Sequence, residues 1–484
     1  MVAPPGGGML GRLAEGVRAD LGRLGARLDA LRPAPGGVRV RHWRFETPQG
    51  RVRVHLRVHE DGTGVLWRNV TDALLLGPMQ VALAEAALDD TPADRALVRL
   101  RTLYPDVPEH RLSDDYSRMA AAMRRLSRPR AGSEGCIIHE LGIPQPPALS
   151  VRAQAPYKAD LALSYACNNA CAHCYNEPGR RGMPSLATDE WREVLDRLWA
   201  IGVPYVIFTG GEPTLRPDLP ELIAHAEGLG MVCGMNTNGR RLAERGFVEG
   251  LVAAGLDHVQ ITLASHRRAV HDAIVGARAW HETVAGVRHA LDAGLHTITN
   301  TTVTRDNARE VEATIDFLAG LGLRTFAMNG MIHSGRGAGN PVALSVEELR
   351  AVLARVRGRA AQRGMRFIWY TVTRHCELSP VEMGVGLRFC NAAEYSMCIE
   401  PCGDVLPCQS YYEPAGNLLR DPWRSIWEGE LFTGIRLRRE RPEEFDLPEE
   451  CHHCERLRLC GGGCPLERAE RSEVMSRCPI SQQA

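Results

Sequence analysis

The sequence has almost no lysine, no excess of charge of either sign and no long apolar run. Lys158 is the only lysine among 484 residues, yet Lys+Arg and Asp+Glu both total 58. A balanced charge provides no field that recruits nucleic acid or an anionic membrane. No apolar stretch approaches the roughly 20 residues that cross a bilayer, and the N-terminus lacks the order of a signal peptide. We therefore expect a cytoplasmic protein without a nucleic-acid or membrane partner.

Cysteine is nearly absent from the first third of the chain and is concentrated in two later stretches. Of 15 cysteines, only Cys136 precedes Cys167, three lie between 167 and 174, and ten lie between 376 and 478. Because the cytoplasm keeps thiols reduced, these cysteines are not expected to form disulfides. Such clusters indicate metal ligands. Cys136 and Cys233 fit no spacing and are expected to be small buried apolar side chains.

The first 150 residues predict two segments. Residues 1–37 combine a flexible, Pro/Gly-rich start with an amphipathic helix, because apolar residues recur there at intervals of three and four. Residues 38–150 predict a small α+β module, winged-helix-like in its hairpin and three helices, followed by a linker. The elements predicted in this module are strands near 52–58 and 65–70 and helices over 78–89, 93–103 and 110–126.

Residues 151–375 alternate between β-branched apolar strands and amphipathic helices. Repeats of this kind form a parallel sheet, and six of them predict an α/β fold of the partial (β/α)6, TIM-like barrel type. The chemistry of such barrels lies at the C-terminal ends of the strands. Periodicity fades afterwards, and 376–484 is expected to be a separate cysteine-rich domain. The six strands are predicted near 160–165, 205–209, 231–236, 258–264, 296–304 and 324–330.

The first predicted strand of the barrel leads directly into Cys167, Cys171 and Cys174, spaced C-x3-C-x2-C. Three thiolates on one loop can hold three irons of a cubane [4Fe-4S] cluster and leave the fourth iron open to a substrate or cofactor. A structural zinc site normally has four ligands, which argues against zinc, although His173 could be proposed as a ligand. An iron-sulfur electron carrier is a further alternative.

This cysteine motif resembles the signature of the radical S-adenosylmethionine (radical SAM) enzymes. The next predicted strand ends in Gly210, Gly211, Glu212 and Pro213, similar to the GGEP motif of that family. An electron carrier does not explain this second motif. The resemblance implies that the amino and carboxylate groups of S-adenosylmethionine (SAM) chelate the open iron and that GGEP contacts the methionine ammonium.

The resemblance also implies further cofactor contacts. His173 stands where relatives usually have an aromatic residue near the adenine. Four residues at later strand ends would reach the ribose and the carboxylate of SAM; alternatively, they satisfy backbone groups. These four are Asn236, Thr262, Asn300 and Thr302.

The C-terminal cysteines are similar to the pattern of the SPASM domain, which holds auxiliary [4Fe-4S] clusters in radical SAM enzymes. Zinc ribbons are the alternative. The resemblance implies one or two auxiliary clusters, an outer one and an inner one whose fourth ligand could be Cys376, Cys398 or Cys402. The matching cysteines are Cys451, Cys454, Cys460 and Cys478 for the outer cluster and Cys390, Cys408 and Cys464 for the inner one.

The resemblance implies an oxidoreductase that reductively cleaves SAM to a 5′-deoxyadenosyl radical, with electrons from a flavodoxin- or ferredoxin-type donor. The radical would abstract a hydrogen atom from a substrate, expected to be a peptide or protein. A maturase for haem or another small-molecule cofactor is the alternative. The 38–126 module faintly resembles winged-helix domains that bind leader peptides; otherwise it is a scaffold. The Gly335-Arg336-Gly337 loop is expected either to shape the barrel mouth or to be a flexible turn.

Overall fold

The computed structural model describes residues 38–47, 50–69, 72–128, 153–445 and 447–469. The chain divides into two compact units: Met1–Pro146 with Ala200–Gly202, and Pro147–Trp199 with Val203–Ala484. The predicted N-terminal helix, Cys136 and Cys478 lie outside the described residues. No described helix is long and apolar enough to cross a membrane. The domain limits drawn at 150 and 375 stay predictions.

The N-terminal unit contains a four-stranded antiparallel sheet in sequence order, followed by three helices. Val52, Val54 and Leu56 alternate along the second strand and pack with the helices in one apolar cluster. The sequence predicted the central hairpin and the helices, but not the first and fourth strands as separate elements. The bounds are β1 Arg39–Thr47, β2 Gly50–Val58, β3 Gly64–Arg68, β4 Asp72–Leu76 and helices Pro78–Leu88, Ala93–Leu103 and Glu109–Leu126.

The second unit is built on a parallel sheet with the six strands that the sequence predicts and a seventh, β11, at its edge. Each strand is followed by a helix or a loop that returns the chain to the opposite end of the sheet. The strands are β5 Lys158–Ser164, β6 Tyr205–Gly210, β7 Val232–Thr237, β8 His258–Thr262, β9 His296–Thr302, β10 Thr325–Asn329 and β11 Arg366–Trp369. The helices are Thr188–Ala200, Leu219–Leu229, Arg245–Ala253, Arg268–Val275, Trp280–Asp292, Val311–Gly320 and Val346–Gln362.

The amphipathic pattern of these helices explains how they cover the sheet. In helix Thr188–Ala200, Trp191, Val194, Leu195 and Leu198 are buried, at the spacing of one helical face. β5 and β6 carry short apolar runs that are buried on both sides, as in parallel sheets. Because the parallel strands all end at one edge, the loops after them meet there.

The cysteine-rich region adds strands to the same sheet. β12 Ser396–Ile399 pairs in parallel with β5, and β13 Val405–Leu406 pairs antiparallel with β12. The sequence did not predict this extension, because β12 is a four-residue run without visible alternation. The remaining helices of the region are short: Trp423–Trp427, Glu430–Leu437, Glu449–His452 and Leu457–Cys460.

Candidate active site

The loop after β5 carries the first three cysteines and is held in place by its backbone. The Ala170 and Ala172 amides donate hydrogen bonds to the carbonyl oxygens of Val275 and Ile274, both at 2.9 Å. These two carbonyls lie at the end of helix Arg268–Val275. Gly276 ends that helix with φ +63°, and a Cβ there would lie 2.7 Å from the Ala170 oxygen. The loop therefore has a fixed support on the neighbouring strand-helix unit.

The three thiols of this loop lie near one another and are partly buried. Burial, followed by the charges of Cys174 and Cys167, raises the pKa of Cys171 to about 12. The Asn169 amide donates to the Cys167 Sγ at 3.4 Å. Such a set of thiols needs a bound cation to hold it as thiolates, and an amide directed at sulfur is a common feature around iron-sulfur clusters.

The spacing of the thiols favours a cluster over a single zinc ion. Ligands of one zinc ion, each about 2.3 Å from the metal, lie no more than about 4.6 Å apart. Within the described ranges, the trio of possible ligand atoms that all lie within 4.8 Å of one another belongs to Glu400, Cys402 and Asp404, not to the loop. The loop thiols therefore suit a cubane that spreads across them.

The GGEP motif is tied to the chain that enters this loop. The Gly211 amide donates to the Ser164 oxygen at 2.7 Å, and the Glu212 amide donates to the Ala166 oxygen at 2.8 Å. A Cβ at Gly211 would overlap the carbonyl oxygen of Ala166. Gly211 is also partly exposed, whereas the other three residues of the motif are buried. The motif thus presents backbone, rather than side chains, beside the cysteine loop.

The Glu212 carboxylate is occupied by hydrogen bonds within the protein. One carboxylate oxygen accepts from the Thr214 amide at 3.1 Å and from the Thr214 and Thr237 hydroxyls at 2.7 and 2.6 Å. The other oxygen accepts from the Asn238 amide at 2.7 Å. With four donors on a side chain that is 1% exposed, the carboxylate locks the ends of β6 and β7 together. The contact of the GGEP motif with the methionine ammonium stays a prediction.

The other residues proposed to bind the cofactor lie at the same sheet edge. Asn236, Thr262 and Asn300 are partly exposed near the ends of their strands, and Thr262 is in register with Asn300. The Asn300 Oδ1 is buried and has no hydrogen-bond partner among the described residues, so it is available to a ligand. Thr302 is buried and donates to the Asn329 Oδ1 at 3.4 Å, which is a structural role. Cofactor contact by these residues stays a prediction.

His173 lies between Cys171 and Cys174 in the loop and is half-buried. Burial, and then the charge of Arg336, lowers its pKa to about 4, so the imidazole is neutral. Its Nδ1 is buried and has no hydrogen-bond partner within the part of the chain that the structure describes. A neutral imidazole ring with an available Nδ1 is suited to contacting a ligand. That this ligand is the adenine of SAM stays a prediction.

The sequence missed residues that connect the cysteine loop to the C-terminal region. Asn176 donates from Nδ2 to the Gly210 oxygen at 2.8 Å, and Tyr412 donates to the Asn176 Oδ1 at 3.2 Å. The Tyr175 hydroxyl donates to the Gln409 Oε1 at 3.1 Å. The sequence signal that could have found Tyr175 and Asn176 was their position directly after Cys174.

The Gly335-Arg336-Gly337 loop packs on the cysteine loop. The Arg336 amide donates to the Cys174 oxygen at 2.8 Å, and Asn340 donates from Nδ2 to the Ala172 oxygen at 2.9 Å. A Cβ at Gly335, where φ is +54°, would lie 2.5 Å from the Tyr175 oxygen. After burial and the neighbouring thiols, the charge of the partly buried Arg336 opposes the rise in the pKa of Cys171, and after burial it lowers the pKa of His173. It therefore places positive charge beside the thiols.

Replacing Arg336 by glutamine is expected to lower the midpoint potential of the cluster at this loop. A nearby cation stabilises the more negative, reduced cluster, so its removal should shift the potential down by on the order of tens of millivolts. Redox titration followed by electron paramagnetic resonance (EPR) measures the shift. Arg336→Lys keeps the charge and serves as the control. An Arg336→Gln enzyme with the wild-type potential would contradict the prediction.

The C-terminal cysteines form two groups. In the inner group, burial and the charge of Cys390 raise the pKa of Cys408 to about 12 and that of Cys464 to about 11. Burial opposes ionisation of Cys390, but the charge and hydrogen bond of Arg438 outweigh it and lower the pKa of this thiol. Cys390, Cys408 and Cys464 are the three cysteines expected at the inner cluster, and the fold brings them together although they are far apart in the sequence.

The outer group contains Cys451, Cys454 and Cys460. The Cys454 amide donates to the Cys451 oxygen at 3.2 Å, and burial followed by the charge of Cys460 raises the pKa of Cys451. Gly461, Gly462 and Gly463 all have positive φ and turn the chain from Cys460 towards Cys464. Each group offers three or more thiols, a donor set that fits a cubane cluster.

The three candidates for the fourth inner ligand lie in different places. Cys398 is fully buried, and burial, Asp160 and then Cys408 raise its pKa, so it is coupled to an inner thiol. Cys402 lies with Glu400 and Asp404. Cys376 lies beside the outer group instead, since its charge acts on Cys451. The identity of the inner fourth ligand stays a prediction.

Comparison with known proteins agrees with this arrangement. The model of the radical SAM superfamily matches residues 161–318, and the SPASM model, an iron-sulfur cluster-binding domain, matches residues 390–455. The PqqA peptide cyclase of Xanthomonas euvesicatoria pv. vesicatoria is 32% identical over 353 residues, 68% of this chain and 90% of that protein. The chain belongs to the radical SAM superfamily. As a radical SAM enzyme with a SPASM domain, it uses [4Fe-4S] clusters and SAM.

Two further similarities widen the comparison of this radical SAM enzyme. The AdoMet-dependent heme synthase of Oleidesulfovibrio alaskensis is 29% identical over 333 residues, 62% of this chain and 80% of that protein. The crystal structure of Streptococcus suis SuiB bound to precursor peptide SuiA has a TM-score of 0.63 at 16% identity and covers 88% of this chain and 97% of that one. The family and fold class predicted from the sequence are confirmed, and the zinc and electron-carrier alternatives have no support.

Proposed function

We propose that this radical SAM enzyme modifies a peptide or protein. The observation that carries the proposal is the similarity to the PqqA peptide cyclase, which extends over nine-tenths of that protein. The fold likeness to SuiB, a structure containing a precursor peptide, spans 88% of the chain and so must include part of the N-terminal unit. A haem or other cofactor maturase is the second candidate, supported by the similarity to the heme synthase.

The residues at the sheet edge would position SAM for the reaction. Cys167, Cys171 and Cys174 would hold a [4Fe-4S] cluster that would supply the electron for reductive cleavage of SAM, and the C-terminal cysteines would hold auxiliary clusters available for electron transfer. The Gly211 backbone would hold the methionine end, while Glu212 keeps that backbone rigid. His173 would face the adenine as a neutral ring. Preorganised contacts of this kind exclude water and fix the reacting geometry.

The N-terminal unit is the proposed recognition site for the leader segment of a peptide. Its sheet has two edge strands, β1 and β4. An extended peptide can add to such an edge through main-chain hydrogen bonds. Every side chain of β1 is exposed or half-buried, which leaves this edge strand accessible to a bound peptide. The alternative is a scaffold without a substrate contact.

Electrons would come from a flavodoxin- or ferredoxin-type protein, and the protein would work in the cytoplasm. The thiol sets support both proposals. Clusters need thiolates that remain reduced, and the cytoplasm provides that condition.

A substrate assay tests the proposal. We expect that reconstituted enzyme under anaerobic conditions, with SAM and dithionite, forms 5′-deoxyadenosine faster when its precursor peptide, sought among short open reading frames near its gene, is added. Mass spectrometry should then show loss of hydrogen from that peptide. The Cys171→Ala enzyme, which lacks one cysteine of the SAM-binding loop, is the negative control. If a tetrapyrrole carboxylate is modified and the peptide is not, the haem-maturase candidate is correct.

A further inference from the structure

Tyr412 belongs to the cysteine-rich C-terminal region, yet its hydroxyl contacts the residues that directly follow the cysteine loop. The hydroxyl donates to the Asn176 Oδ1 at 3.2 Å and to the Tyr175 carbonyl oxygen at 3.3 Å, sharing its one proton between them. Tyr412 and Asn176 are 236 residues apart in the sequence. The C-terminal region therefore reaches the chain beside Cys174 through this side chain.

Asn176 connects the Tyr412 hydroxyl to the GGEP motif. Its Nδ2 donates to the Gly210 carbonyl oxygen at 2.8 Å, while its Oδ1 accepts from Tyr412. This amide orientation is fixed, because a carbonyl oxygen only accepts hydrogen bonds and so must face the Nδ2. The side chain of Asn176 is thus held at both ends, and it cannot rotate without losing one of the two bonds.

The peptide unit between Gly210 and Gly211 is held at both of its polar groups. Its carbonyl oxygen accepts from Asn176, and its amide, which belongs to Gly211, donates to the Ser164 oxygen at 2.7 Å. Because a peptide unit is planar, these two bonds together set its orientation. Neither glycine has a side chain that could hold the unit in another way. This is the backbone that is expected to face the methionine end of SAM.

The ring of Tyr412 is held independently of its hydroxyl. The guanidinium carbon of Arg180 lies 4.1 Å from the ring centroid, and the Tyr165 ring meets the Tyr412 ring edge-on at a centroid distance of 6.4 Å. Arg180 and the Tyr165 hydroxyl both donate to the buried carboxylate of Glu400. Removing the hydroxyl alone should therefore leave the ring in place.

We propose that Tyr412 is a positioning residue for SAM: through Asn176, its hydroxyl fixes the Gly210–Gly211 peptide at the edge of the sheet where SAM binds. The C-terminal region would then contribute to SAM binding directly, in addition to holding clusters. Binding is tighter when the contacting backbone is already in its bound orientation. The proposal concerns SAM itself and does not depend on which substrate the enzyme modifies.

The test is the affinity of the reconstituted full-length chain for radiolabelled SAM, measured by equilibrium dialysis. Tyr412→Phe should raise the Kd about threefold to tenfold, the range expected for the loss of one neutral hydrogen bond. Iron content should match wild type, since no cysteine is changed. Tyr411→Phe is the matched control, because the Tyr411 hydroxyl contacts Glu413 at 3.4 Å instead, and it should bind SAM as wild type does. A wild-type Kd in Tyr412→Phe would overturn the proposal.

A double variant tests whether Tyr412 acts through Asn176. Asn176→Ala also removes the bond to Gly210, so it should raise the Kd for SAM at least as much as Tyr412→Phe does. Adding Tyr412→Phe to Asn176→Ala should raise the Kd no further, because both residues belong to one chain of hydrogen bonds. If the two effects multiply instead, Tyr412 acts by another route and the proposal is wrong. Thermal unfolding identifies a merely structural role, which would lower the unfolding temperature of Tyr412→Phe but leave its Kd unchanged.

Discussion

Replacing Cys167, Cys171 and Cys174 together by alanine is expected to reduce 5′-deoxyadenosine formation to below detection and to remove about four irons per chain. The three thiols lie on one loop that is fixed to the end of helix Arg268–Val275. Nothing else on that loop can replace three sulfur ligands, so the cluster that cleaves SAM cannot assemble. Iron analysis and chromatographic detection of 5′-deoxyadenosine measure the two effects.

Cys233→Ala is the matched control for this variant. Cys233 is also buried, but its Sγ lies 3.9 Å from the carbonyl oxygens of Ile223 and Met231, far from any cysteine group. Its loss should cost about 1 kcal/mol of stability and no iron. A triple variant that still cleaves SAM, or a control that loses iron, would contradict the assignment.

Gly211→Ala is expected to slow 5′-deoxyadenosine formation at least tenfold and to raise the KM for SAM. The new Cβ would overlap the Ala166 carbonyl oxygen and lie 2.6 Å from that of Tyr165. Both oxygens belong to backbone, so the chain entering Cys167 must move. Overpacking of this kind costs about 1–3 kcal/mol, and about 1.4 kcal/mol already corresponds to a tenfold change in rate. We choose Gly211 rather than Gly210 for this test. Gly210 has a φ of +117°, so a side chain there would add backbone strain of its own.

Gly246→Ala is the control for the glycine substitution. Gly246 lies in helix Arg245–Ala253, and no atom lies within 4 Å of a Cβ built there. Alanine favours a helix by up to about 1 kcal/mol over glycine, so this variant should be as active as wild type and slightly more stable. Steady-state kinetics at several SAM concentrations and thermal unfolding compare the two variants. Equal activity in both would show that the GGEP backbone does not hold the cysteine loop.

The fold could be predicted where hydrophobic periodicity was strong. Both ends of each of the six barrel strands were predicted to within two residues. The reason is that strands rich in β-branched residues alternate there with amphipathic helices. β1 was not predicted as a separate strand, since Arg and aromatic residues replace aliphatic ones along it. β12 was missed because its four residues are stabilised by pairing with β5, a contact remote in sequence. Short strands that depend on tertiary pairing leave no local pattern.

The candidate site could be predicted where the spacing of residues in the sequence identified the ligands. The cysteine loop and GGEP follow consecutive strands, so their proximity follows from parallel topology. The sequence could not show that the Glu212 carboxylate is saturated by Thr214, Thr237 and Asn238, because that depends on how β7 ends beside β6. The hydrogen bond from the His375 amide to the Cys460 Sγ likewise depends on packing between segments 85 residues apart, which no spacing rule records.

The most direct test of the central claim is electron-nuclear double resonance on the reduced holoenzyme with SAM labelled at its amino nitrogen and carboxylate oxygen. If the Cys167 loop leaves one iron open to SAM, both labels should show hyperfine coupling to the cluster, and Cys171→Ala enzyme should show none. A spectrum without coupling from either label, in enzyme that contains its full iron, would contradict an open iron at this loop.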